Sequence, residues 1–142
     1  MRHVLVPIDP ADPLRTRSAV AEAIRIHRDE QAGIRLVRVQ PRVTGHVAQF
    51  FSPRELHRLQ QEAGDDELRF ARGLLDAAGV PYTSTVLVGR SAESIARAAR
   101  AFGCDRILFG DEAPGLAGKV FGSLAQQVRQ LLGSGEFQVI GS

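Results

Sequence analysis

Short apolar runs rich in β-branched residues alternate with longer stretches of helical spacing along the chain, and this alternation limits the fold more than any other feature. The first run, His3 to Ile8, stops at Asp9-Pro10. Its continuous apolarity calls for cover on both faces of a sheet. Asp12-Pro13 reads as an N-cap followed by the first helical residue. Leu14, Ala19, Ala23, Ile24 and Ile26 then fit one broad stripe, Gly33 ends the unit, and Ile34 to Val39 forms a second strand. Ser52-Pro53-Arg54-Glu55 carries a stronger start signal, a capping box with proline at the first helical position. Leu56, Leu59, Ala63, Phe70, Leu74 and Ala78 recur behind it, Gly64 weakens the middle, and Gly79-Val80-Pro81 stops the helix. Tyr82 to Val88 is strand-like by composition. Ser91 is placed to cap a helix over Ala92 to Phe102, with Gly103 past its end. Arg106 to Phe109 predicts the fourth strand, Leu124 to Leu132 the last helix, and Phe137 to Ile140 the fifth strand.

An order of β-α-β-α-β-α-β-α-β implies an α/β protein of three layers, α/β/α. Its open parallel sheet lies between helices joined by right-handed crossovers. The 142 residues suit one ordinary domain over residues 1–142, and 44% apolar content supports a core. The long irregular connection is Pro41 to Ser52, where Phe50 and Phe51 are expected to close over the sheet edge, the alternative being a patch for a partner.

Several function classes drop out. Formal charge is only +2, Lys119 is the sole lysine, and no basic run is interleaved with aromatics, so nucleic acid is not an expected partner. The single cysteine, Cys104, permits no internal disulfide and fits a reducing compartment. With no leader-like start and no apolar run of spanning length, a cytoplasmic protein away from membranes is expected. His3, His27, His46 and His57 are scattered without ligand spacing, so no metal site is expected. Cys104 has no histidine beside it and reads as a buried inert thiol. There is no nucleophile elbow, no P-loop and no early dinucleotide fingerprint. The third strand ends Val86-Leu87-Val88 without the aspartate that a phospho-receiver needs. No residue is placed as a general base, so the chain is not read as an enzyme.

A binding crevice is the remaining expectation. In open α/β sheets, ligands collect beyond the C-terminal strand ends where the winding reverses. Asp9, Val39 and Gly110 end strands one, two and four, and Gly122-Ser123 is expected to open the last helix toward the same place. A helix N-terminus suits an anion, and glycines permit close backbone approach. The alternative is a tight strand-to-helix connection whose glycines serve only turns and packing.

These pieces in this order resemble the universal stress protein family, of the adenine nucleotide alpha-hydrolase-like fold. The resemblance rests on Val4-Leu5-Val6-Pro7-Ile8-Asp9, Leu36-Val37-Arg38-Val39, Val88-Gly89 with the Ser91 to Ala99 helix, Asp105 to Gly110, and the late Gly-Ser pair. It covers nearly the whole chain. It implies a Rossmann-like five-stranded parallel sheet of order 3-2-1-4-5. It also implies a nucleotide site at Pro7, Asp9, Val39, Gly110, Gly115, Gly118, Gly122 and Ser123, with Asp9 on the adenosine and Val39 offering backbone groups to adenine.

ATP-binding members carry G-x2-G-x9-G-(S/T) after strand four, and this chain departs from it. Ala113 stands where the second glycine belongs, and eleven residues separate Gly110 from Gly122 where the pattern has twelve. Asp111 and Glu112 would face the phosphates. Each like-charge contact at about 4 Å costs on the order of 4 kcal/mol at an effective dielectric near 20. A bridging Mg²⁺ reverses that sign, and Lys119 is a compensating cation. The frame of Gly115, Gly118, Gly122 and Ser123 persists while its first half is remodelled. The resemblance therefore implies a non-catalytic, stress-response homodimer, paired through strand 137–140, that senses adenine nucleotide. The alternatives are an ATP-binding member with slow hydrolysis, with Mg²⁺ accompanying a triphosphate, or a ligand-free module for an unidentified protein partner.

Overall fold

The computed structural model describes residues 2–43, 45–110, 116–133, 135 and 137–141, with the backbone alone for residues 47 and 116–123. The elements run β1 His3–Pro7, α1 Pro13–Glu30, β2 Gly33–Gln40, α2 His46–Gln49, α3 Pro53–Ala78, β3 Thr83–Val88, α4 Ser91–Ala101, β4 Cys104–Leu108, α5 Leu116–Leu132 and β5 Gln138–Ile140. All strand pairs are parallel, and the sheet order is β3-β2-β1-β4-β5. The three-layer α/β fold and its 3-2-1-4-5 order are therefore as the alternation and the resemblance imply.

The two-residue side-chain period of a strand divides the core in two. Val4, Val6 and Ile8 of the first strand segment pack with Leu36, Leu68, Leu75 and Ile26 beneath α1 and α3. Leu5 points the other way and packs with Val37, Ile95, Ile107 and Phe109 beneath α4 and α5. Both faces of β1 are covered, which is why its sequence is apolar without interruption.

Local signals explain the starts of α1 and α3. Asp12 accepts from the Arg15 amide at 3.0 Å and Pro13 follows at the first position. Ser52 accepts from the Glu55 amide at 3.1 Å, again before a proline. Other expectations are corrected. Helix α1 ends on Gln31, whose φ of 59° supplies the left-handed cap, and Gly33 instead begins β2. Gly33 is needed there because a Cβ would stand 2.6 Å from His3 Nδ1. Ser91 is the first residue of α4, not its cap; Arg90 holds the cap position and makes no side-chain cap bond. Within Pro41 to Ser52, one short helix, α2, interrupts the irregular connection. Phe50 and Phe51 do not close over the sheet edge: they are 81% and 37% exposed. The last helix has helical backbone from Leu116, two turns earlier than Leu124.

Candidate nucleotide site

The mouth of the sheet is built around the end of β1. Helices α1 and α3 cover one face and α4 and α5 the other, so the winding reverses between β1 and β4, where an open α/β sheet presents its crevice. Pro7 is the last residue of β1, is buried, and stands level with Val37 of β2. One residue later the Ile8 amide still donates to the Val37 carbonyl at 2.9 Å. Beyond that point β1 turns away while β2 continues to Gln40.

That difference in length leaves one stretch of β2 without a partner in β1. By the alternation of a strand, the amide and carbonyl of Val39 face the same side as those of Val37. There β1 has ended and offers them no strand partner. Val39 is 5% exposed as a whole residue and its side chain belongs to the core, so its main chain lacks a β1 partner while staying largely covered. Two ties from α3 hold this strand end: Glu67 accepts from Arg38 Nε at 2.8 Å and from Gln40 Nε2 at 2.7 Å.

Asp9, two residues past Pro7, falls level with Val39 if the register is continued. Its Oδ1 accepts from the Ala11 amide at 3.0 Å, and its carbonyl accepts from the Asp12 amide at 3.1 Å. The carboxylate is thereby fixed at the lip of the crevice and remains partly exposed. An oriented carboxylate can accept from hydroxyl groups, and a strand-end amide and carbonyl without a strand partner can donate and accept.

Gly110 lies on the other side, two residues past β4, at φ 78°. A Cβ there would collide with the Arg15 carbonyl and stand 3.0 Å from Arg15 Cγ and 3.2 Å from Ala19 Cβ. The first turn of α1 therefore lies directly against it. Gly115 is outside the described residues. Gly118, Gly122 and Ser123 fall within the helical backbone of α5, so Gly122 and Ser123 do not form the helix's first turn as expected from sequence. Pro7, Asp9 and Val39 thus lie at the adjoining ends of β1 and β2, whereas Gly110 borders a separate small cleft with Ser18, Ala19, Glu22, Leu108, Ile140 and Gly141, and the phosphate half of the proposed site rests on the α5 segment.

Arg15 is the residue that sequence reading missed. It is 1% exposed, and its Nη1 donates to the carbonyls of Phe109 and Gly110 at 3.4 and 3.3 Å. Its Nε lies 3.5 Å from Asp12 Oδ2, and Asp12 is itself 5% exposed. A buried cation thus ties the first turn of α1 to the end of β4. The signal was present: Arg15, Ala19, Ala23 and Ile26 share one helical face, and all are buried. Leu14, read as part of that stripe, is 67% exposed instead.

Among the described residues, no group of three or more His, Cys, Asp or Glu side chains could hold a metal ion. None of their helices is long and apolar enough to cross a membrane. Cys104 is fully buried, and burial pushes its thiol up to about 11, so it is protonated at neutral pH.

Comparison with known proteins agrees with this architecture. A universal stress protein from Archaeoglobus fulgidus is 18% identical with a TM-score of 0.70, covering 99% of this chain and 98% of its own. A structure of the universal stress protein from Archaeoglobus fulgidus in complex with dAMP is 15% identical with a TM-score of 0.67, covering 99% and 97%. A universal stress protein family protein from Arabidopsis thaliana with AMP bound is 16% identical with a TM-score of 0.64, covering 99% and 90%. At these identities the likeness is one of fold. Comparison with curated protein sequences gives no match. The profile of the universal stress protein family matches residues 1–132, nearly the whole of the mouth and sheet described above, and the chain belongs to that family.

Proposed function

We propose that this chain is a non-catalytic adenine-nucleotide-binding protein of the stress-response type, working in the cytoplasm as a homodimer. The observation that carries the reading is that β2 runs on past the end of β1, which leaves the Val39 main chain without a β1 partner just where the turn-held carboxylate of Asp9 stands at the end of β1. Family structures that hold dAMP and AMP share the fold and lend it support. The adenosine would lie over Val39 and Asp9, with Pro7 beside them. The phosphate would extend from Gly110 toward the segment that carries Gly115, Gly118, Gly122 and Ser123. A monophosphate is favoured over ATP on physical grounds. Asp111 and Glu112 lie in that direction along the chain, and each added phosphate charge meets them at a cost that Mg²⁺ or Lys119 would have to offset.

Calorimetry with adenosine, AMP and ATP, with and without Mg²⁺, tests the reading. AMP should bind best in the absence of metal, and ATP should gain when Mg²⁺ is added. Asp9→Ala should weaken all three, and Ser123→Ala should weaken only the phosphorylated ligands, by about 0.5–1.5 kcal/mol for one hydrogen bond. Equal affinity for adenosine and AMP would remove the phosphate half of the proposal. Failure of all three to bind would favour the ligand-free module with a protein partner.

A further inference from the structure

A second polar mouth lies at the far side of the same sheet end, outside the Asp9 crevice. A groove of about 410 Å³ is bounded by Arg42 after β2, Gly89 and Arg90 after β3, and Glu93, Ser94 and Arg97 of α4. Among the described residues Arg42 and Arg97 have no ion-pair partner, and Arg90 has only the exposed Glu93, 3.7 Å away. Three guanidinium groups against one carboxylate leave the groove strongly positive.

Two further observations concern what such a groove would hold. Helix α4 begins with no side-chain cap, because an arginine stands where an acceptor is usual, so its first amides take no side-chain oxygen. Ser94 is 8% exposed, lines the groove, and its hydroxyl makes no hydrogen bond among the described residues. The residue is buried but the hydroxyl oxygen itself remains accessible, and it is open to the cationic cleft it borders. Gly89, at φ 149°, keeps the approach clear, since a Cβ there would stand 2.9 Å from Ser94 Oγ.

The groove continues into a smaller pocket of about 150 Å³ that shares Val88, Ser94 and Arg97 with it and is lined beyond them by Leu87, Ala98, Ala101 and Phe102. Strand β3 is a sheet edge, so this limb is open from outside. We propose that the Arg42, Arg90 and Arg97 mouth binds a small organic anion. Its phosphate or carboxylate head sits on the guanidinium groups and the Ser94 hydroxyl, and its apolar body lies over Leu87 and Phe102. Guanidinium forks match both head groups, and the adjoining apolar wall selects against a bare inorganic ion.

The test uses phenyl phosphate and inorganic phosphate as probes, followed by calorimetry on the full chain. Phenyl phosphate should bind about fivefold or more tightly than inorganic phosphate, because only it buries apolar surface in the second limb. The double change Arg42→Gln with Arg97→Gln should weaken both probes by about tenfold or more, the scale of one lost charge-assisted contact. Both arginines are exposed, so the variant should fold, and an unchanged melting curve verifies it. Ala101→Phe should fill the apolar limb, bringing phenyl phosphate down to the level of inorganic phosphate and leaving the latter unaffected. Adenosine affinity should not change in any of these variants, which separates this site from the Asp9 crevice. No binding of either probe at millimolar concentration, or binding undiminished by the arginine changes, overturns the site. Equal affinity of the two probes in the unaltered protein overturns the assignment of an amphiphilic anion.

Discussion

Arg15 shows how one residue joins fold to site. Its guanidinium is desolvated, and that cost is offset by two carbonyls at the end of β4 and by the Asp12 carboxylate. Replacing it with methionine leaves the Asp12 charge buried alone, a class of change that costs about 3–5 kcal/mol. Arg15→Met should therefore lower the urea midpoint strongly. Adding Asp12→Asn, which keeps the cap oxygen and removes the charge, should restore most of the loss; no recovery would mean that the two residues are not coupled. Cys104 gives a second check at this scale. Its thiol is pushed from an ordinary 9.0 to about 11 by burial, so above pH 9 the unfolded chain gives up a proton that the folded chain retains. Stability is unaffected below that pH and falls as pH rises toward 11, by at most about 3 kcal/mol at some 1.4 kcal/mol per unit. Cys104→Ala should flatten this part of a pH–stability curve; an unchanged slope would assign the loss to other groups. The inert thiol was legible from its sequence context, whereas Arg15 was not, because a charged residue is expected to face water and only the 3.6-residue period places it inward.

Among the elements, the strands were legible from their apolar runs, and α1 and α3 because apolar period and N-terminal capping residues agreed. Helix α3 follows its Ser52 and Pro53 signal and runs unbroken through Gly64 to Ala78. Gly64 was read as a weak point; in the structure it is a contact point. A Cβ there would overlap the Val86 side chain of β3, so the missing side chain lets the helix lie close on the strand. Gly73, on the same helix, has nothing within 4 Å of its missing Cβ. The two glycines therefore predict opposite signs. Gly73→Ala should stabilise by about 0.5–1 kcal/mol through helix propensity alone. Gly64→Ala gains the same propensity but forces the strand away, and overpacking of this kind costs about 1–3 kcal/mol. Thermal melts of both variants decide it, and two shifts of the same sign would refute the close contact. What the sequence hid at this scale were the ends. Gln31 caps α1 in a left-handed conformation that composition does not favour, and α4 starts without a cap at all. Phe50 and Phe51 were misread because adjacent aromatics suggest burial, yet just after α2 Phe50 is mostly exposed and Phe51 about one-third exposed.

At the scale of the whole molecule, the sheet order follows from alternation plus the family resemblance, and it decides which backbone is left open. Strands β3 and β5 are the two edges. The Pro41 to Ser52 connection belongs to the β2 and β3 side and offers no cover to β5. On β5 the Ile140 carbonyl accepts from the Phe109 amide at 2.8 Å, so by alternation the Val139 amide and carbonyl face outward. Arg129 Nη2 takes the outward carbonyls of Val139 and Gly141, at 3.4 and 2.7 Å, and pins the strand to α5. A carbonyl has a second lone pair, and the Val139 amide stays open, so the edge is held straight and not closed. Half-buried Val139 and Ile140 flank it without a charged side chain in the strand to blunt pairing. A second copy laid antiparallel across a two-fold axis would meet this edge with its own and match donor to acceptor. The expected state is a homodimer through residues 137 to 140. Val139→Pro removes the open donor and should give monomer with its melting temperature little changed, because that amide makes no bond to β4. Arg129→Ala should weaken the dimer less, since it frees the strand end while leaving the donor in place. Light scattering at about 10–50 μM, a range that detects micromolar association, reads all three proteins. A monomeric wild type, or a Val139→Pro protein that remains dimeric, would rule out this edge as the interface.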